Sequence, residues 1–258
     1  MSDSKRTPSL FVGHGSPMNA IENNEFSCAW REMAGSFTKP KAVLCVSAHW
    51  ETRGVRVSNL PHPRTIHDFY GFPDELFAVH YPAPGSAALS ARVLKILDNF
   101  SAEQDGGWGF DHGAWSVLRH MYPDADVPVV QLSLDSARPG AFHYHVGKAL
   151  APLREEGVLI LGSGNIVHNL GLYDFHDATP HPWAIAFDAR VRRLIEERRF
   201  EELANFHSLG ENAEVAIPTP EHFLPLLYIL ATAVDEEAEF FCQKTISSLS
   251  MTSLAFGL

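Results

Sequence analysis

The chain has 258 residues, a formal net charge of −11 and 20% charged residues, long enough to bury a substantial apolar core. Its acidic balance argues against a surface that tracks nucleic-acid phosphates, and no apolar run reaches the roughly 18 residues of a membrane-spanning helix. Cys28, Cys45 and Cys242, odd in number and far apart, make neither a disulfide framework nor a thiolate zinc site.

In chain order, Met1-Ser2-Asp3-Ser4-Lys5-Arg6 lacks the apolar core of a signal peptide, so a reducing cytoplasm is the expectation. Short apolar runs predict strands at Leu10–Val12 and Ala42–Ser47. Residues 61–84 then carry five prolines, three histidines and several aromatics, an irregular segment of the kind that forms lids and binding loops. A helix follows the cap Ser86, with Leu89, Val93, Ile96, Leu97 and Phe100 at helical spacing. Residues 105–115, rich in Gly and Trp, form a second irregular stretch.

Strands at Val127–Ser133 and Val158–Gly162 alternate with two more helical patterns, Phe142 to Leu153 and Trp183 to Ile195. A last helix is expected to begin at Thr219-Pro220-Glu221, with Thr219 as cap, and to continue through Leu226, Leu227 and Leu230. Continuous apolar strands suit a sheet covered on both faces. The alternation predicts a single three-layer α/β/α domain over residues 1–258, with a mostly parallel sheet.

Four histidines fall where a strand ends or a helix begins: His14, His49, His168 and His222. Ligand sites in open α/β sheets form outside the carboxyl ends of strands, and neutral imidazole is the commonest side-chain metal ligand. His222, placed in a first helical turn, is expected to stay neutral beside the positive dipole end. His112, next to Asp111, is a fifth candidate, and His67 a further one to face the site. Each ring taken alone reads equally well as a turn or core histidine. The loop Gly162-Ser163-Gly164-Asn165 lacks phosphate-binding spacing, and no HExxH, GxSxG or CxxC is present. The residues by themselves support a mononuclear metal site built on neutral ligands.

Several segments carry a resemblance in order along nearly the whole chain: Gly13-His14-Gly15-Ser16-Pro17-Met18, Ser47-Ala48-His49-Trp50, Thr65-Ile66-His67-Asp68-Phe69, Trp108-Gly109-Phe110-Asp111-His112-Gly113, Gly164-Asn165-Ile166-Val167-His168-Asn169 and Pro218-Thr219-Pro220-Glu221-His222. Here the sequence resembles the class III extradiol ring-cleavage dioxygenases, which include the protocatechuate 4,5-dioxygenase β-subunit, and within them the DOPA 4,5-dioxygenase branch. The resemblance implies a phosphorylase/hydrolase-like α/β domain with one divalent metal, Fe(II) for oxygen chemistry or Zn(II) as bound. It also implies O2 as co-substrate and a small catecholic substrate, with neither nucleic acid nor membrane as partner.

By the same resemblance His14 and His49 are metal ligands, and His222 is a further ligand where protocatechuate-cleaving relatives use glutamate. His168 is the acid–base group and a possible fourth ligand, and His112 is a second catalytic histidine. Trp50, Phe69, Tyr70, Phe72, Trp108 and Trp115 are candidates to wall the ring pocket, and Arg53 or Arg64 to receive a substrate carboxylate. The rival readings are a zinc hydrolase on the same histidines and a non-enzymatic binding protein of the superfamily.

Overall fold

Alternate residues of the central strands feed two apolar layers, which is why these strands read as unbroken hydrophobic runs. Leu44, Val46, Leu132 and Ile160 point into one layer, and Val43, Cys45, Val129 and Leu161 into the other. The computed structural model describes residues 6–233 and 235–258; the segment 1–5, read above for an export signal, lies outside them.

The strands are β1 (Ser9–Gly13), β2 (Ala42–Thr52), β3 (Arg56–Ser58), β4 (Glu103–Asp105), β5 (Val129–Asp135), β6 (Val158–Gly164), β7 (Ala238–Phe241), β8 (Thr245–Ile246), β9 (Leu249–Ser250) and β10 (Ser253–Phe256). Eight of them form one sheet in the order β4-β3-β5-β2-β6-β1-β10-β7. The centre, β5-β2-β6-β1, is parallel, while β10 and β7 extend it antiparallel. The helices are α1 (Glu25–Gly35), α2 (Asp74–Phe77), α3 (Ala87–Ile96), α4 (His112–Met121), α5 (Gly140–Leu150), α6 (Pro182–Glu196), α7 (Phe200–Ala204), α8 (Ala213–Ala216) and α9 (Leu224–Thr232).

Helices α1 and α4 cover one face through Phe26, Trp30, Trp115 and Leu118. Helices α3, α5, α6 and α9 cover the other through Val93, Val146, Val191 and Leu227. The three-layer α/β architecture is the expected one. Among the described residues no helix is long and apolar enough to cross a membrane.

Several details differ from the sequence reading. The last helix starts at Leu224, not Thr219, because the His222 carbonyl accepts the Asn165 backbone N–H and is lost to the helix ladder. The Thr219 hydroxyl donates to the Glu221 carboxylate instead of capping. Helix α4 begins inside the Gly/Trp stretch, where the Asp111 side chain caps it. Strand β2 runs on past Ser47 to Thr52, and β5 lies two residues later than expected. Helix α1 went unread because only Phe26, Ser27 and Trp30 of its eleven residues are buried, too few to print a helical period.

His143 on α5 is buried, and its Nδ1 meets the Tyr228 hydroxyl at 2.9 Å. Burial pushes its pKa down to about 4 from the ordinary 6.5. The unfolded chain therefore binds a proton there that the folded one refuses, so stability is lost as pH falls from about 6.5 towards 4. Wild-type protein is expected to unfold more easily across that window. His143→Gln should flatten the decline by up to about 1.4 kcal/mol per pH unit, read from urea unfolding at several pH values. Parallel slopes in the two proteins would rule this out.

Candidate metal centre

Strands β1, β2 and β6 reach the carboxyl edge of the sheet side by side, with Gly13 paired to Gly164 and Ser47 to Ser163. His14 leaves β1 there. His49 lies in β2 within a register irregularity between Val46 and Glu51, a device that re-aims side chains near sites. His112 opens α4, and His222 sits in the turn before α9. His168 follows β6, held by its own N–H on the Ala216 carbonyl and by a bridge to Leu249.

All five rings converge. The ring centroids of His14, His49 and His222 lie 5.0, 5.0 and 5.4 Å apart. His112 is 3.9 Å from His49, and His168 stacks on His222 at 3.4 Å with the planes 7° apart. Donor nitrogens of His14, His49 and His112 lie within 4.8 Å of one another, as do those of His168 and His222 with the Glu221 carboxylate.

Hydrogen bonding fixes where some of the lone pairs are. The Ser163 hydroxyl donates to the Gly113 carbonyl at 2.6 Å, so it must accept from His14 Nδ1 at 3.0 Å. That leaves the lone pair of His14 on Nε2, 3.1 Å from His49 Nε2. The Glu221 carboxylate takes the proton of His222 Nδ1 at 2.9 Å, which again leaves Nε2 free.

Burial, and then the neighbouring histidines, holds His14, His49 and His222 well below the ordinary imidazole range. The dipole argument for His222 is thus replaced by burial and by His168 and His112. Burial also pushes His168 down to about 4. Uncharged imidazoles with inward lone pairs are the form that binds a divalent ion. Two nitrogens 3.1 Å apart also fit a shared ion, since bonds of about 2.1 Å allow separations up to about 4 Å. The donor set therefore fits a metal.

The chain matches the family described as the catalytic LigB subunit of aromatic ring-opening dioxygenase over residues 8–256. It belongs to this family. LigB membership makes it an extradiol ring-cleavage dioxygenase in reaction class. Similar proteins include the 4,5-DOPA dioxygenase extradiol of Escherichia coli K12, 46% identical over 98% of this chain and 96% of that one. The Beta vulgaris protein of the same name is 42% identical over 87% and 86%. A crystal structure of an uncharacterized protein from Escherichia coli K12 superposes with a TM-score of 0.86 at 41% identity, covering 98% and 100%. These are proteins that this LigB chain is similar to.

Around the five histidines stand groups that sequence reasoning missed. Asp111 does not touch the His112 ring; its buried carboxylate accepts from Ser47, Gln131, Trp108 and the Ala114 N–H. Burial, with the nearby Asp68 charge, pushes its pKa up. Asp68 lies against two of the rings; its advance signals were its place in a long irregular segment and in the resemblance segment 65–69, where His67 was the candidate instead. His67 bonds the Val79 carbonyl and packs on Phe69, Phe77 and Trp115. Phe69 does meet His112 edge-on at 5.6 Å, whereas Tyr70 is 92% exposed. Trp50 stacks on Trp108, and Trp115 is a core residue whose Nε1 holds the Ile66 carbonyl.

Two glycines make the convergence possible. A Cβ at Gly164 would lie 2.1 Å from the His222 carbonyl oxygen, so the end of β6, which takes in most of the loop expected at 162–165, seats the His222 turn. A Cβ at Gly113 would lie 2.5 Å from Ser47 Oγ and 2.9 Å from His49 Cδ2. Gly113→Ala is expected to displace His49, costing about 1–3 kcal/mol of stability and lowering metal retention. Urea unfolding and elemental analysis check both, and a variant equal to wild type in the two assays would refute the displacement.

Proposed function

We propose that the protein opens the ring of a small substituted catechol, such as DOPA or a related 3,4-dihydroxyphenyl compound, by oxygen-dependent extradiol cleavage. The observation that carries this is the cluster of five inward-facing histidines in a LigB-family chain whose relatives bear the 4,5-DOPA dioxygenase name. His14, His49 and His222 hold one divalent ion, with His168 near enough to add a fourth nitrogen. When bound, Fe(II) supplies a Lewis acid that favours the ionised catechol and a seat for O2 chemistry.

The rest falls to the chain. His168, uncharged near neutrality, takes a proton from a catechol hydroxyl and returns one as the ring opens. His112 hydrogen-bonds the oxygen-derived group. Phe69 walls the approach to His112 and helps to hold the ring in place. The three cysteines are free thiols, in keeping with a reducing cytoplasm.

Metal-free protein loaded anaerobically with Fe(II) or Zn(II) and given DOPA, caffeate or protocatechuate provides the test. The iron form is expected to consume oxygen with at least one catechol, and the zinc form with none. No uptake with any catechol would sink the proposal, and metal-dependent hydrolysis of an added catechol ester by the zinc form would favour a zinc hydrolase.

A panel of alanine variants separates the roles. His14→Ala, His49→Ala and His222→Ala should lose stoichiometric metal. His112→Ala and His168→Ala should retain it while turnover falls about 100-fold or more. Metal loss in His112→Ala with retention in His222→Ala would move the third ligand to His112.

A further inference from the structure

Asp68 stands between two histidines that come from different parts of the chain. Its Oδ1 accepts the His112 backbone N–H at 2.9 Å, which pins the carboxylate. Oδ2 then lies 3.0 Å from His112 Nδ1, off the ring N–H axis, and 3.4 Å from His49 Nδ1. The neighbouring carboxylate of Asp111 cannot serve here, because its oxygens are taken up by Ser47, Gln131, Trp108 and the start of α4.

An ionised carboxylate offers only lone pairs. Facing a ring nitrogen that also carried a lone pair would be repulsive, so Oδ2 favours a proton on both Nδ1 atoms. The lone pair of each ring then falls on Nε2. For His49 this decides something hydrogen bonding left open. Its Nε2 is 3.1 Å from His14 Nε2, whose proton is already accounted for on Nδ1. With Asp68 in place, two lone pairs face each other and invite a cation. Without it, His49 is free to move its proton to Nε2 and donate it to His14, closing the site with an internal hydrogen bond.

We infer that Asp68 is a positioning residue that holds His49 in its metal-ready tautomer, with His112 fixed beside it. This rests on the metal-centre reading above and adds the residue that prepares the centre for its ion.

Wild type, Asp68→Ala and Asp68→Asn are compared by Co(II) titration against a competing chelator, and by nitrogen-15 spectra of the metal-free histidines. Asn matches Asp in shape, and its carbonyl keeps the His112 N–H bond. It turns an NH2 group towards the two Nδ1 atoms, which favours the opposite tautomer. A merely structural Asp68 would tolerate that change. The inference expects Asp68→Asn to weaken Co(II) binding at least as much as Asp68→Ala, by about 10- to 100-fold. It also expects a new Nε2–H signal for His49. Asp68→Asn carries the test even where the Ala variant folds poorly. Affinity within twofold of wild type in the Asn variant overturns the inference alone, whereas wild type that takes up no Co(II) overturns the metal centre itself.

Discussion

Five imidazoles packed against one another cannot share a buried space if they are charged. A proton on His14, His49, His168 or His222 is opposed first by burial and then by neighbouring rings, and the surrounding structure responds to that constraint. Ser163 and Glu221 each fix one ring by its Nδ1, and Asp68 lies against two more. The free lone pairs gather in the middle. Strands β1, β2 and β6 and the starts of α4 and α9 deliver the rings to one place, and Gly113 and Gly164 remove the side-chain atoms that would keep them apart.

The resemblance-based expectation put an imidazole where glutamate serves in related dioxygenases, and so a less negative inner shell. The structure adds that carboxylates are present one step further out. Asp68 lies against the Nδ1 atoms of His49 and His112, and Glu221 accepts from His222 Nδ1 while its carboxylate stays within 4.8 Å of donor nitrogens of His168 and His222. Carboxylates in that position raise the basicity of the imidazoles they touch. In the proposed centre, part of the negative charge would thus reach an ion through the rings.

How much of this was legible in the sequence depends on range. The buried strands and the α/β class were readable, because each central strand feeds apolar residues into both layers and prints a solid hydrophobic run. The histidines were readable because strand exits are visible as the points where such runs stop. The start of α9 was not, because a long-range bond from Asn165 to the His222 carbonyl competes with a local cap signal at Thr219. Asp68 and Asp111 were not separable either. Asp111 is the sequence neighbour of His112, yet Asp68, 44 positions upstream, holds its backbone N–H. Side-chain partnership across such a gap leaves no local mark.

The tail of the chain adds a constraint of another kind. Ser253 Oγ accepts the Gly13 backbone N–H from 240 residues away, Asn165 donates to the Ser250 carbonyl, and His168 bridges Leu249. The strand that launches His14 and the loop that carries His168 are therefore braced by residues 240 and 85 positions further along the chain. Contacts of such sequence separation slow folding, so the geometry of the rings depends on pairings between distant parts of the chain. An ion that binds only the finished fold stabilises that fold by mass action. In the proposed metal centre, the ion and these distant contacts would hold the same geometry together.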